Sequence, residues 1–189
     1  MELPPRVAPR EGAEKLTANG IERARLDPAL FREILQQHRA GSGRQEHVPG
    51  DFVTAGKGRL ASRINDLPNT LRTRIHLAMR PMLEEWVGRP LIPTYVYGIR
   101  TYLRNATLAP HRDKDVTHIV SAILNVAQKV DEPWALQMEP EADQKEDWRE
   151  CFMEPGDLLF YESNRLMHAR MKPLNGDAYS GVFVHFKLA

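Results

Sequence analysis

The sequence has few of the features that assign a chain to a special class of protein. Cys151 is the only cysteine, so no disulfide can form within the chain and a reducing compartment is the simpler expectation. The formal net charge is +1, which gives no bulk electrostatic reason to expect binding to nucleic acid or to an anionic membrane. No apolar run approaches the roughly 20 residues that a membrane-spanning helix needs. The first residues, "MELPPRVAPREGAEKL", lack the apolar segment of a secretory signal, so we expect a cytoplasmic protein.

What remains is the composition of an ordinary globular domain. The chain has 189 residues, of which 42% are hydrophobic and 27% are charged. This length suffices for one good core and predicts a single domain. Within it we expect residues 1–92 to form an N-terminal arm and supporting helices, and residues 93–189 to form a β-barrel core.

Two helices are predicted before residue 93, after an extended arm that reaches about Leu16. The first is "DPALFREILQQHRA", in which Asp27 can cap the helix and Pro28 suits its first position. The segment "GSGRQEHVPGDFVTAGKGR" shows no helical period and is interpreted as a long loop. The second helix should end at Gly88. Its apolar residues recur at helical spacing and should be buried: Leu71, Ile75, Ala78, Met82 and Trp86.

From Pro93 onward the pattern changes to the period of two that is typical of strands. Successive candidate strands are "PTYVYGIRTYLR", "THIVSAILNV", "WALQME", "ECFM", "DLLFYES", "RLMHAR" and "AYSGVFVHFKL". We interpret the acidic run from Glu139 to Glu150 as a solvated loop. Helices followed by many short strands predict a mainly β fold, a sandwich or barrel with helices packed outside it.

The segment "TLAPHRDKDVTH" contains a His-x-Asp pair, His111 and Asp113. If both lie on a strand, their side chains point to the same side. Two histidines and one carboxylate can hold one face of an Fe(II) octahedron and leave three positions open. His168 is the best-placed further histidine, whereas His118 and His185 are interpreted as hydrogen-bonded structural residues. A His-x-Asp pair at a surface strand end also arises by chance.

Two longer motifs carry a resemblance to a known family. "RTYLRNATLAPHRD" resembles the tyrosine-bearing strand that leads into the His-x-Asp of the prolyl 4-hydroxylase-like branch of 2-oxoglutarate- and Fe(II)-dependent oxygenases. "EPGDLLFYESNRLMHAR" resembles the turn, apolar strand and distal histidine of that branch. The resemblance implies a double-stranded β-helix, a jelly-roll or cupin-like barrel. It also implies His111, Asp113 and His168 as iron ligands, and an aspartate at this position implies a hydroxylase.

The site for the distal carboxylate of 2-oxoglutarate departs from the family pattern. The family places an Arg or Lys on the final strand, where this chain has Ala178. A buried carboxylate still needs a charged partner. Arg170 lies two residues after His168 and should point to the same side. The resemblance adds Tyr102 and Asn125 as polar contacts, although Arg170 at the surface and Tyr102 in the core are simpler interpretations.

The resemblance therefore implies a dioxygenase that uses Fe(II), 2-oxoglutarate and O₂, with ascorbate as a candidate reductant. Its substrate would be an amino acid, a peptide or a small natural product, and hydroxylation or another oxidative outcome is left open. The sequence does not indicate the oligomeric state. Two alternatives stay open: a cupin-type metalloenzyme that does not use 2-oxoglutarate, and a barrel-shaped binding module without catalysis.

Overall fold

The computed structural model describes residues 13–46, 48, 52–140 and 148–189, so most of the predicted N-terminal arm lies outside the described residues. The described chain forms two helices and twelve strands. In order these are β1 Ile21–Arg25, α1 Pro28–Ala40, β2 Arg44–Gln45, β3 Val53–Thr54, β4 Ser62–Asn65, α2 Asn69–Val87, β5 Leu91–Leu103, β6 Thr107–His111, β7 Val120–Val130, β8 Leu136–Met138, β9 Arg149–Cys151, β10 Asp157–Tyr161, β11 His168–Arg170 and β12 Gly176–Leu188.

The strands form two antiparallel sheets. The larger sheet has the order β1-β10-β7-β12-β5-β4-β2, and the smaller one has the order β3-β6-β11-β8-β9. Side chains of both sheets share one apolar cluster, in which Ile123 and Leu159 of the larger sheet pack with Leu136 and Met138 of the smaller. The two sheets therefore face each other, and the predicted mainly β, double-stranded β-helix architecture is confirmed.

Both helices pack on the outer face of the larger sheet. Ile34 of α1 and Ile75 of α2 are fully buried in one cluster with Leu124, Val184 and Phe186 of the sheet. Neighbouring residues of the same strands point inward, as the period of two requires. The larger sheet is thus covered by helices on one side and by the smaller sheet on the other.

The predicted helix ends are confirmed by specific contacts. The Asp27 carboxylate accepts hydrogen bonds from the backbone N–H groups of Ala29 and Leu30, both at 3.0 Å, and Pro28 occupies the first turn. At the C-terminal end of the second helix, α2, Gly88 adopts the left-handed conformation with φ of 66°. A glycine suits this position because it has no Cβ to clash. No helix within the described ranges is both long and apolar enough to cross a membrane.

The predicted buried stripe of α2 is wrong in its second half. Leu71 and Ile75 are buried as expected, but Ala78, Met82 and Trp86 are only partly buried against the core. The fully buried residues continue at a strict spacing of four: Leu71, Ile75, Met79, Leu83 and Val87. Residues four apart form a ridge inclined to the helix axis, and the sheet packs along that ridge.

Several other elements differ from the sequence interpretation. The strands β1 to β4 and β6 were not predicted, because they are short and polar or contain proline. Two of them, β2 and β3, lie within the predicted long loop, of which residues 47 and 49–51 are outside the described ranges. The interpretation of Glu139 to Glu150 as a solvated loop is wrong at both ends. Glu139 is buried, and Arg149–Cys151 forms β9 on the smaller sheet.

Candidate metal centre

Strand pairing in the smaller sheet brings His111 and His168 together. His111 is the last residue of β6, His168 is the first residue of β11, and the two are directly opposite each other. Residues that face each other across an antiparallel pair have Cβ atoms about 4.5–5.5 Å apart. The two imidazole centroids are accordingly separated by 4.3 Å. The 56 residues between them in sequence therefore do not separate them in space.

Asp113 also lies close to both histidines, but the alternation of side chains along a strand is not what places it there. Asp113 does not share a strand with His111, because β6 ends at His111. The backbone N–H of Asp113 instead donates to the Ser163 carbonyl at 2.8 Å. Its Oδ1 atom lies 3.8 Å from Nε2 of His111 and 3.8 Å from Nε2 of His168. These distances are too long for hydrogen bonds.

The three side chains form a compact donor set. Their candidate ligand atoms all lie within 4.8 Å of one another. No second group of this kind, with three or more His, Cys, Asp or Glu residues, occurs in the part of the chain that the structure describes. Two nitrogen donors and one carboxylate match the facial arrangement typical of non-haem Fe(II) sites.

Hydrogen bonds orient both histidines toward the shared point. Nδ1 of His111 donates to the Ala109 carbonyl at 2.8 Å, and Nδ1 of His168 donates to the Leu166 carbonyl at 3.3 Å. A carbonyl only accepts, so each Nδ1 carries the proton and each Nε2 keeps its lone pair. Metal-ligating histidines commonly have this outer hydrogen bond.

The charge states of the donors also suit a cation. Burial lowers the pKa of His168 to about 4. Burial, followed by the proximity of His168, lowers the pKa of His111 to about 4. Both imidazoles are therefore neutral at pH 7, which is the form that binds metal. Burial raises the pKa of Asp113, and a divalent cation beside it would oppose that effect.

The donor set opens into a cavity of about 330 Å³ that Arg170 and Tyr102 also line. The Arg170 guanidinium packs against two rings, with its Cζ atom 4.3 Å from the centroid of Trp134 and 4.2 Å from that of Tyr179. Its Nη1 donates to the Trp134 carbonyl at 2.6 Å. The Tyr102 hydroxyl is buried and has no hydrogen-bond partner among the described residues. The structure thus brings together the metal donors, a fixed cation and an available hydroxyl.

Asn125 does not join this group, and its predicted contact with 2-oxoglutarate stays a prediction. Its side-chain amide donates to the Met153 carbonyl and to Oε1 of Gln128, both at 2.9 Å. It does not contribute to the described lining of the cavity. The resemblance to the family at this sequence position did not indicate that the Asn125 amide bonds to Gln128 and Met153.

Arg100 is a cavity residue that the sequence interpretation missed. Its guanidinium forms two hydrogen bonds to the Glu46 carboxylate, at 2.7 and 2.8 Å, and lies over the Phe183 ring. Burial alone would lower the pKa of Arg100, but Tyr102 and Glu46 raise it above its ordinary value. Arg100 precedes Tyr102 by two residues on β5, so the period of two could have placed both on one face.

His118 and His185 are hydrogen-bonded, as predicted, and they also border the cavity. His185 contacts the Ser121 hydroxyl at 2.6 Å, and His118 contacts the Thr117 hydroxyl at 2.6 Å. The two rings are in contact, with centroids 3.9 Å apart and planes tilted by 36°. Nδ1 of His185 is 3.7 Å from Oδ2 of Asp113, so this pair forms one wall beside the donor set.

Comparison with solved structures identifies the fold. HygX from Streptomyces hygroscopicus, with nickel, 2-oxoglutarate and hygromycin B bound, superimposes with a TM-score of 0.65 at 12% identity, over 90% of this chain and 84% of that one. A Pseudomonas putida prolyl-4-hydroxylase gives 0.64 at 18% identity, over 90% and 94%. AviO1 from Streptomyces viridochromogenes gives 0.62 at 15% identity, over 89% of each chain.

These likenesses extend over nearly the whole chain. A further match is an oxidoreductase of the 2-oxoglutarate–Fe(II) oxygenase family from Burkholderia pseudomallei, with a TM-score of 0.63 at 10% identity. No protein-family model matches the sequence, and no curated protein matches it either. At these identities the comparisons establish that the chain has the double-stranded β-helix fold of the 2-oxoglutarate- and Fe(II)-dependent oxygenases.

Proposed function

We propose that this protein is an Fe(II)- and 2-oxoglutarate-dependent dioxygenase that hydroxylates a C–H bond. The observation that carries the proposal is the convergence of His111, Asp113 and His168 at a cavity that also contains Arg170 and the Tyr102 hydroxyl. Similar structures support it, since HygX was solved with nickel and 2-oxoglutarate bound. The expected cellular setting is the cytoplasm.

The donor set would hold the metal, and Arg170 would hold the co-substrate. Bound Fe(II) would supply the oxidation, in which O₂ and 2-oxoglutarate yield succinate and CO₂ while a substrate C–H bond becomes C–OH. His111 and His168 contribute neutral nitrogens, and Asp113 contributes the negative charge. The guanidinium of Arg170 would bind the distal carboxylate of 2-oxoglutarate, and the Tyr102 hydroxyl would donate a hydrogen bond to it. No side chain is required to act as general acid or base.

The substrate class is proposed from two kinds of structural neighbour. HygX was solved with hygromycin B, a small molecule. A prolyl hydroxylase from Trichoplax adhaerens was solved with a peptide fragment of hypoxia inducible factor. An amino acid, a peptide or a small natural product is therefore the proposed substrate of this chain.

One observation favours a second candidate function. The final strand β12, all of which the structure describes, contributes Phe183 and His185 to the cavity lining but no cation. The residue in the expected position, Ala178, pairs with Leu103 and Lys129. A cupin-type metalloenzyme that does not use 2-oxoglutarate would need the three metal donors but no carboxylate anchor.

Succinate formation separates these two functions. The purified protein should be incubated in air with Fe(II), ascorbate and 2-oxoglutarate, since such enzymes turn over slowly even without their primary substrate. We expect succinate above the amount formed by a His168→Ala variant at equal concentration. If the parent and the variant give the same amount, the dioxygenase proposal fails. Metal binding by the parent without consumption of 2-oxoglutarate would then favour the cupin-type function.

A further inference from the structure

A buried ion pair lies next to the candidate metal centre, and its arginine also lines the cavity. Arg112 is the residue between His111 and Asp113, and its Nη2 atom donates to Oε2 of Glu139 at 2.7 Å. The two side chains are only 10% and 8% exposed. Burying two charges is costly, and a buried ion pair is weak evidence for stability in itself. The position of this pair therefore suggests a role other than general stabilisation.

Further hydrogen bonds connect this pair to the segment that leads into His168. Nε of Arg112 donates to the Arg165 carbonyl at 2.7 Å. The backbone N–H of Met167, the residue before His168, donates to Oε2 of Glu139 at 3.1 Å. In return, the backbone N–H of Glu139 donates to the Met167 carbonyl at 2.8 Å. Oε2 of Glu139 thus accepts hydrogen bonds from the segment that contains His111 and Asp113 and from the segment that leads into His168.

The ligand-bearing segments need such a connection because the sheet supports them unequally. His111 and His168 are fixed by strand pairing, whereas Asp113 lies beyond the end of β6 and is held there by a backbone hydrogen bond to the Ser163 carbonyl. Metal affinity requires all three donors to be held close to their binding geometry before the ion arrives. Arg112 immediately precedes Asp113 and is hydrogen-bonded to the segment that leads into β11. It can therefore fix the Asp113 carboxylate relative to β11.

We infer that Arg112 and Glu139 are positioning residues that set the affinity of the metal centre without touching the metal. The inference rests on the proposed function, because it takes the three donors to be metal ligands. It assigns a role to Glu139, a residue that no sequence motif singled out. Outer residues that orient metal ligands typically change metal affinity by 10- to 100-fold when they are altered.

The test is the affinity of the full-length protein for Co(II) alone, measured by calorimetric titration, together with the visible ligand-field spectrum of the bound ion. Glu139→Gln should weaken Co(II) binding by about 10- to 100-fold and should alter the spectrum, because Asp113 is less constrained. Arg112→Lys should give an intermediate effect, since an ammonium group cannot reproduce both contacts of the guanidinium fork.

A double variant separates positioning from stability. Arg112→Met combined with Glu139→Leu removes both buried charges, which is often neutral or stabilising. We expect this variant to melt at or above the temperature of Glu139→Gln but to bind Co(II) as weakly. As a control, Leu83→Ala, in the core of α2, should lower the melting temperature and leave Co(II) affinity unchanged.

The outcomes distinguish two failures. If Glu139→Gln and the double variant bind Co(II) within about twofold of the parent, the positioning role is refuted and the proposed function stands. The positioning role is also refuted if Leu83→Ala weakens Co(II) binding as much as Glu139→Gln, because the effect then follows stability. If the parent itself does not bind Co(II), both the proposed function and the positioning role fail.

Discussion

The imidazoles of His111 and His168 show how single hydrogen bonds determine the chemistry of this site. Each ring donates from Nδ1 to a carbonyl two residues earlier in the chain. That bond fixes the tautomer, and burial keeps the ring neutral. Both Nε2 lone pairs are consequently available at pH 7, with the Asp113 carboxylate beside them. The local backbone thus prepares the nitrogen donors for a metal ion.

Replacing Arg170 with alanine should weaken binding of 2-oxoglutarate by roughly 10- to 100-fold. Charge-assisted hydrogen bonds contribute about 1.5–3 kcal/mol, and each 1.4 kcal/mol corresponds to about tenfold in affinity. Arg170→Lys should be intermediate because a point charge replaces a planar fork. The measurement is a titration of 2-oxoglutarate against the visible charge-transfer band of the anaerobic Fe(II) protein.

Metal affinity serves as the internal control for Arg170, since it should change little in Arg170→Ala. Arg104→Ala is a matched external control, because Arg104 is an exposed arginine that pairs with Asp131 and Asp177. If Arg170→Ala binds 2-oxoglutarate as tightly as the parent, the anchor lies elsewhere. Arg100 would then be the next candidate, because it is a cation that also lines the cavity.

Replacing Tyr102 with phenylalanine should have opposite effects on stability and on binding. Removing a buried hydroxyl that lacks a partner should leave the free energy of unfolding unchanged or raise it. Losing a donor to the bound carboxylate should weaken 2-oxoglutarate binding by about 1 kcal/mol, or roughly fivefold. Urea unfolding and the same charge-transfer titration measure the two effects.

Tyr179→Phe is the matched control for Tyr102→Phe. Both tyrosines are buried, both hydroxyls lack a partner among the described residues, and both rings contact Trp134 edge-on. Tyr102 lines the cavity, whereas the described lining does not include Tyr179. Equal loss of 2-oxoglutarate affinity in the two variants would contradict a direct contact from Tyr102.

The residues of the candidate metal centre could be predicted because each belongs to a contiguous motif. The His-x-Asp pair and His168 belong to contiguous motifs, and the structure brings their donor atoms together. Glu139 and Arg100 depend on contacts with residues 27 and 54 positions away, for which a single sequence gives no signal. Asn125 shows that sequence position does not determine which way a side chain faces, because its amide donates to Gln128 and Met153 and is absent from the described lining of the cavity.

At the scale of elements, α2 shows how far periodicity can be taken. Apolar residues occupy two adjacent helical rows, one through Met79 and Leu83 and the other through Ala78 and Met82. The sequence indicates a broad apolar face but not which row meets the sheet. That choice depends on the angle at which the helix packs, which involves β5, directly after the helix, and also β7, further along the chain.

The two rows can be compared directly through a pair of methionines. Met79→Ala should lower the free energy of unfolding by about 2–5 kcal/mol, because it leaves a cavity in a fully buried position. Met82→Ala removes the same atoms from a partly buried position and should cost less than half as much. Urea unfolding of both variants is the measurement. A larger loss in Met82→Ala would mean that the predicted row, not the observed one, faces the sheet.

At the scale of the whole molecule, the order of elements predicted the two-sheet architecture but not which strands make up each sheet. Two helices followed by alternating strands correctly indicated a two-sheet β fold with helices outside. The sequence did not reveal that strands before residue 93 enter both sheets, where β1 pairs with β10 and β3 pairs with β6. Such short edge strands gain their stability from the neighbouring strand and not from their own sequence.

At the same scale, burial lowers the pKa of histidines throughout the described part of the chain, and this predicts sensitivity to acid. Burial lowers the pKa of every histidine in the part of the chain that the structure describes. These are His38, His76, His111, His118, His168 and His185. An unfolded histidine titrates near pH 6.5, so the unfolded chain binds more protons than the native protein just below that pH. Stability that is present above pH 6.5 is therefore lost as the pH falls.

Lowering the pH from 7.5 to 5 should therefore lower the free energy of unfolding of the metal-free protein. For His111 and His168, whose pKa is about 4, the loss at pH 5 is about 2 kcal/mol each. Asp113, whose pKa is raised, should instead increase the free energy of unfolding as the pH falls. Its single contribution is opposed by those of six histidines. Urea unfolding with a chelator present, at pH 7.5, 6 and 5, measures the slope, and His168→Asn should make it shallower. Unchanged or greater stability at pH 5 would show that these rings do not remain neutral in the native protein, and the neutral nitrogen donors inferred for the metal centre would then be wrong.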